Sequence, residues 1–146
     1  MSLQEINGDL FRSEHLKAEC VMTHCISQDL YMNAGIAKEF KKLYGNVDFL
    51  KSQNKVVGEI AILEFTDILR ITYLVTKKRY YEKPTYSSLQ ESLSKLLEYY
   101  KVNNLSCPII MPKIGCGLDR LDWIRVKDII ISILVNNGIN VYVYIL

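Results

Sequence analysis

The sequence is poor in the residues that build metal and thiol chemistry. Histidine occurs only twice, as His15 and His24. The four cysteines, Cys20, Cys25, Cys107 and Cys116, include no pair at the two-residue spacing of a zinc knuckle or a thioredoxin-like motif. A metal site is therefore without support. With no signal peptide ahead of them, the thiols are expected to be reduced and mostly buried in an intracellular protein. Long apolar runs are missing as well: Ile129 to Val135 is already broken by Ser132, far short of the roughly 18 residues of a membrane span. A soluble chain with no membrane partner is expected. There is no excess of charge, since the net value is +2, too little to imply a nucleic-acid partner by itself. Linkers, repeats, low-complexity tracts, a serine nucleophile elbow and a Walker loop are all absent. What is present is 49% hydrophobic content in 146 residues, enough for one core, so 1–146 reads as a single domain.

Periodicity places the elements. Leu3 to Ile6 reads as a short strand, and Cys20 to Ile26 as a second, followed by a polar loop from Ser27 to Asp29. Ile36, Ala37, Phe40, Leu43 and Tyr44 recur at helical spacing, with Gly45 at the C-terminal cap position. A short helix is expected near Val47 to Lys51. Val57 to Phe65 and Ile68 to Val75 read as strands joined tightly through Thr66 and Asp67. Beyond Pro84, Ser87 to Gln90 reads as a capping box. The helix it opens carries Leu89, Leu93, Leu96, Leu97 and Tyr100 as one stripe. Leu105 to Met111 is expected to be a strand. Asp122 is placed to cap a helix from Trp123 to Leu134 that Asn136-Asn137-Gly138 ends, and Ile139 to Ile145 alternates as a last strand. Interleaved strands and helices predict an α/β layered fold, and the tight strand pair predicts a mixed sheet.

Ligands of open α/β sheets bind beyond the carboxyl ends of the strands, which selects the loops 27–35, 76–84 and 113–120. In the third, Gly115 and Gly117 allow close backbone approach, and successive amides ahead of a helix suit a diphosphate; an ordinary strand-to-helix turn is the plainer alternative. A dinucleotide fingerprint is excluded, because Arg120 stands where its third glycine belongs. Asn33-Ala34-Gly35 at a helix start suits a phosphate or ribose, or simple helix entry. Lys77-Lys78-Arg79 is either a solvated turn or a nucleophilic amine at Lys77, with its cationic neighbours disfavouring a further positive charge. Such an amine can attack an anomeric carbon through an oxocarbenium-like transition state. Asp119 is either a surface or capping carboxylate or a proton-transfer group. Asp9 is either a turn residue or an acceptor for an adenine amino group. His24 and Cys25, adjacent on a strand, face opposite sides and read as core residues.

Taken in order, these segments resemble a known family. Gly8-Asp9-Leu10-Phe11, His24-Cys25-Ile26-Ser27, Ala34-Gly35-Ile36-Ala37 running into Phe40-Lys41-Lys42, Thr76-Lys77-Lys78-Arg79, Lys83-Pro84-Thr85-Tyr86, and Met111-Pro112 with Ile114 to Leu121 are similar to the macrodomain proteins of the terminal ADP-ribose protein glycohydrolase branch. The resemblance implies a three-layer α/β/α sandwich with a mixed central sheet that binds ADP-ribose at the carboxyl end of the strands. It implies Lys77 and Asp119 as the catalytic pair that removes ADP-ribose from Asp and Glu side chains, with deacylation of O-acyl-ADP-ribose and removal of ADP-ribose from nucleic-acid bases as further activities. Asp9 and Leu10 then match the adenine end, Ser27 a ligand-proximal position, Gly35 and Ile36 the first phosphate loop, and Lys113, Ile114, Gly115, Cys116, Gly117 and Leu118 the diphosphate loop. Leu146 matches an adenine-pocket residue. ADP-ribose and ADP-ribosylated proteins are the implied partners, with ADP-ribosylated nucleic acid as a further class. The chain is expected to act without metal or cofactor, as a monomer, in nucleus or cytoplasm. A reader module that binds ADP-ribose without turnover is the alternative, and a bare RNA- or DNA-binding module a third. The chain departs from the family pattern at Leu30, Tyr31, Asn33, Tyr80 and Tyr81, which bears on substrate preference.

Overall fold

The computed structural model describes residues 2–146, so Met1, the first residue of the expected domain, lies outside the described residues. Six strands form one sheet: β1 (Leu3–Asn7), β2 (Cys20–Ser27), β3 (Ile60–Glu64), β4 (Leu69–Lys77), β5 (Ile109–Met111) and β6 (Val141–Ile145), in the order β1-β6-β5-β2-β4-β3. All neighbours pair parallel except β3 and β4. That exception follows from the connection: Thr66 Oγ1 accepts from the Ile68 and Leu69 amides, closing a turn too short for any crossover. The mixed sheet is as the sequence predicts.

Central strands β2 and β4 are buried along nearly their whole length, which is why both read as continuous apolar runs. Their alternate side chains feed two separate cores. On one face Val21, Leu74, Ile109 and Val141 pack against Leu89, Leu93 and Leu96 of α3 (Tyr86–Val102) and Val126 and Ile130 of α4 (Trp123–Ile133). On the other, Met22, Ile71, Tyr73 and Ile110 meet Phe40 of α1 (Gly35–Tyr44) and Leu50 of α2 (Val47–Ser52). The result is the three-layer sandwich. His24 falls on the second face, fully buried, with its ring stacked 3.7 Å from that of Phe40. Burial pushes its pKa down to about 3, so it is a neutral core residue. All four cysteines are free thiols.

Three local expectations need correction. The capping box lies two residues earlier than expected: Thr85 is the N-cap, its side chain accepting from the Ser88 amide at 2.9 Å while Ser88 Oγ accepts from the Thr85 amide at 3.2 Å. Thr85 is extended after Pro84, so the helix starts at once. The strand expected from Leu105 shortens to Ile109–Met111, because Pro108 has no amide to donate and the Leu105 amide turns back to the Tyr100 carbonyl. The strand expected from Val57 starts only at Ile60, after Gly58 takes a φ of 92°.

Candidate functional site

Strands β5, β2 and β4 are neighbours and parallel, so the loops 27–35, 76–84 and 113–120 leave the sheet side by side. The register between β2 and β4 slips at its end: Ile26 pairs with Val75 but Ser27 with Lys77. Thr76 is thus an extra residue, a bulge of the kind that re-aims the following side chain. Its carbonyl is held by Ser88 Oγ at 2.6 Å. The start of α3 therefore fixes the direction in which Lys77 leaves the strand.

Lys77 Nζ lies 2.6 Å from Asp119 Oδ1, with the two side chains only 14% and 17% exposed. This joins the two residues singled out from sequence, 42 positions apart. The side chain of Lys77 is thus paired with a carboxylate, while the neighbouring cations Lys78 and Arg79 are exposed. Cys25 lies near the pair, but burial, then the Asp119 charge, push its thiol pKa far up, so it is no rival nucleophile.

The glycine loop is held in a tight form. Leu121 donates its amide to the Gly115 carbonyl at 2.7 Å, and Cys116 to Lys113 at 3.2 Å. Gly115 has a φ of 71°, and a β-carbon there would sit 2.9 Å from Leu121 Cδ1, so any side chain would be strained and would have to displace Leu121. At Gly117 a β-carbon would meet nothing within 4 Å, so this backbone faces open space. Gly35, at the start of α1 with a φ of 59°, would bring a β-carbon within 3.3 Å of Leu118 Cδ1, so the first and third loops touch. Lys83 Nζ donates to the Leu118 carbonyl at 2.8 Å and ties in the second. Ile114 is buried beneath the loop, Cys116 is half-buried with its thiol pushed up by burial to about 11, Lys113 Nζ stands 5.7 Å from the Trp123 ring centroid, and Ile36 is exposed on the first turn of α1.

The flank of the site lies beyond β1 and β6, where the Gly8 amide donates to the Ile145 carbonyl at 2.9 Å. Asp9 and Leu146 each follow directly after this bonded pair in the chain. Asp9 Oδ1 accepts from the Phe11 amide at 3.0 Å, so Asp9 caps a single 3-10 turn. The Leu10 side chain is buried in the core, leaving its backbone for any ligand, and Leu146 is fully exposed.

In the sequence Asp29 is only the end of a polar loop, yet in the fold it is the hub between loops. Its Oδ1 accepts from Ser27 Oγ at 2.5 Å and the Tyr31 amide at 3.2 Å, and its Oδ2 from the Tyr80 amide at 3.0 Å. Partial burial acts to raise its pKa, but these three donors and the Arg79 charge outweigh it and hold the carboxyl below its ordinary value. A serine two residues before an aspartate was the available signal; the Tyr80 contact has no sequence signature.

No protein-family model matches the chain. The ADP-ribose glycohydrolase OARD1 of Homo sapiens is 43% identical over 141 residues, 97% of this chain and 90% of that protein. Among solved structures, the macrodomain of Mycobacterium tuberculosis DarG superposes with a TM-score of 0.85 at 20% identity, covering 98% of this chain and 97% of that one. Thermosipho africanus DarTG in complex with ADP-ribose gives a TM-score of 0.81 at 21% identity, covering 97% of this chain and 41% of the other. The structural neighbours share the macrodomain fold, and with 43% identity across nearly its whole length to the human protein, this chain belongs to the ADP-ribose glycohydrolase family of macrodomains.

Proposed function

We propose that this protein is an ADP-ribosylhydrolase that releases ADP-ribose from Asp and Glu side chains, with Lys77 as nucleophile and Asp119 as proton acceptor and donor. The observation that carries the reading is the 2.6 Å pairing of Lys77 Nζ with Asp119 Oδ1 at the carboxyl edge of the sheet, beside a glycine loop with open space at Gly117. The relationship to an ADP-ribose glycohydrolase and the fold shared with a protein solved in complex with ADP-ribose support the ligand. In the attack, Asp119 takes a proton from the Lys77 ammonium. The freed amine forms a bond to the anomeric carbon of the distal ribose, and the bond from that carbon to the ester oxygen breaks, releasing the protein carboxylate. Water then adds at the same carbon, the carbon–nitrogen bond breaks, and Lys77 recovers its proton, so that one ester and one water give ADP-ribose and a carboxylic acid. The diphosphate lies on the amides of 113–118 and at the start of α1, near Gly35 and Ile36. Asp9, Leu10 and Leu146 flank the adenine, and Ser27 positions Asp29. Base-linked ADP-ribose presents the same anomeric carbon with a nitrogen in place of the ester oxygen, and O-acyl-ADP-ribose carries its ester on the same distal ribose, so both belong to the proposed substrate range. A reader needs an open diphosphate loop but has no use for an acid–amine pair.

The test is hydrolysis of a glutamate-linked ADP-ribosyl protein by wild type, Lys77→Ala and Asp119→Ala, with ADP-ribose binding measured by calorimetry. Binding kept and turnover lost in both variants is the expected result. Equal turnover in Lys77→Ala and wild type refutes the lysine mechanism, and binding without turnover by the wild type favours the reader.

A further inference from the structure

The departures at Tyr31, Tyr80 and Tyr81 come together in space. Tyr31 and Tyr80 stack with centroids 4.0 Å apart and planes 18° from parallel, and Tyr81 meets Tyr80 edge-on at 5.3 Å and 87°. All three rings remain exposed. An exposed aromatic cluster is unusual enough on a small domain to call for a purpose, and this one is built. Leu30 and Met32, on either side of Tyr31, both hold positive φ values, 54° and 47°, which side-chain-bearing residues rarely adopt. Both side chains are buried, which anchors the strained segment and sends Tyr31 outward. The Asp29 carboxylate then binds the amides of Tyr31 and Tyr80 together.

The position and charge indicate what the cluster takes. Tyr80 lies three residues beyond Lys77 on the same loop, and the Gln28 amide, one step before Asp29, donates to the Lys77 carbonyl at 2.8 Å. The segments that carry the cluster are therefore joined to the backbone of Lys77 itself. Lys78 and Arg79 are exposed and neither forms an ion pair within 4 Å among the described residues, although the Arg79 charge also acts on the Asp29 carboxylate. Glu82, the nearest acidic residue on the loop, is turned back to the Arg79 amide at 2.7 Å. Lys41 Nζ reaches the Tyr31 carbonyl at 3.3 Å and Asn33 Oδ1 at 2.8 Å. Exposed aromatic rings interleaved with exposed cations are the surface that binds single-stranded nucleic acid, rings to bases and cations to phosphates. A carboxylate-bearing peptide would use the cations and leave the rings without a partner.

We propose that Tyr31, Tyr80 and Tyr81 form a stacking platform beside the Lys77–Asp119 pair that takes a nucleobase of a single-stranded nucleic acid, with Lys78 and Arg79 meeting its phosphates. The platform is the acceptor side of the site only if Lys77 and Asp119 act as proposed above; its binding of bases does not depend on them. The test is titration of a short single-stranded DNA containing a fluorescent adenine analogue into the full chain saturated with ADP-ribose. Wild type quenches the analogue with salt-dependent affinity. Tyr80→Ala and Tyr81→Ala each weaken binding by about tenfold, as loss of one base stack does, and Tyr80→Trp retains it, while ADP-ribose affinity is unchanged in all three. Absence of quenching by the wild type, or equal strand affinity in wild type and both alanine variants, overturns the platform. Hydrolysis of a glutamate-linked ADP-ribosyl peptide is measured alongside and is expected to be the same in wild type and Tyr80→Ala. A loss of peptide turnover in Tyr80→Ala equal to its loss of strand binding makes the tyrosines loop supports and overturns the proposal. Quenching that persists while the wild type hydrolyses nothing upholds the platform and refutes the lysine mechanism alone.

Discussion

Breaking the Lys77–Asp119 pair tests the structure and the chemistry together. At 2.6 Å two unit charges attract by about 1.6 kcal/mol in a water-like medium and by about 6 kcal/mol at an effective dielectric constant of 20. The pair is mostly shielded, at 14% and 17% exposure, so it lies between these limits. Holding the lysine chain still costs about 2 kcal/mol of rotamer freedom, and both charges lose hydration. A net coupling of about 1–2 kcal/mol remains, above the 0.2–1 kcal/mol of exposed pairs. Urea denaturation of Lys77→Met, Asp119→Asn and the double variant yields this number as a double-mutant cycle. Wild type and the same three variants are assayed for hydrolysis. Each single change is expected to cost on the order of 10²–10⁴-fold in turnover, and the double change little more than the worse single one, because the residues act as a unit. A coupling below about 0.5 kcal/mol would refute the shielded pair. Multiplied losses in the double variant would refute joint action, even if each residue mattered alone.

Four further outcomes follow from the loops and the start of α3. Gly117→Val should leave the melting temperature unchanged yet abolish ADP-ribose binding by calorimetry, since its side chain enters space the protein leaves open; Gly115→Ala, strained at a φ of 71° and crowded by Leu121, should lower both. Ser88→Ala removes the hydroxyl that accepts from the Thr85 amide in the α3 capping box and that holds the Thr76 bulge, and should cost about 1–2 kcal/mol, or roughly 2–4 °C per kcal/mol in a scanning melt, with reduced turnover as Lys77 loses its aim. Asp29 has a lowered pKa in the fold, so its contribution to stability is fully present above the ordinary carboxylate value and is lost as pH falls through the lowered one. Asp29→Asn should flatten that part of an acid titration followed by tyrosine fluorescence, and an unchanged acid limb would contradict the hydrogen bonds assigned to it.

Much of the fold was legible because it depends on local pattern. The buried central strands, the stripe on α3 and the caps at Gly45 and Asp122 each follow from side-chain periodicity or backbone geometry within a few residues. The errors fell where two local signals compete: Pro108 shortened β5, and Pro84 moved the cap of α3 to Thr85. The loops that carry the site were also identifiable, because the carboxyl-edge rule depends only on strand direction. Lys77 and Asp119 stood in separate motifs, each with an ordinary alternative, and no spacing in the chain tied one to the other.

What the sequence determined by itself is the set of elements, the glycines at 35, 115 and 117, and the chemistry available in each loop. What only the tertiary structure decided is their meeting: Lys77 on Asp119, Lys83 on Leu118, Asp29 on Tyr80, and Tyr31 on Tyr80. These contacts join residues 35 to 51 positions apart. They exist because β5, β2 and β4 lie side by side in an order the chain does not follow, and because a one-residue bulge at Thr76 resets the direction of Lys77. Strand order and register are set by how two cores close over a shared sheet, a property of the whole packed chain and not of any segment within it.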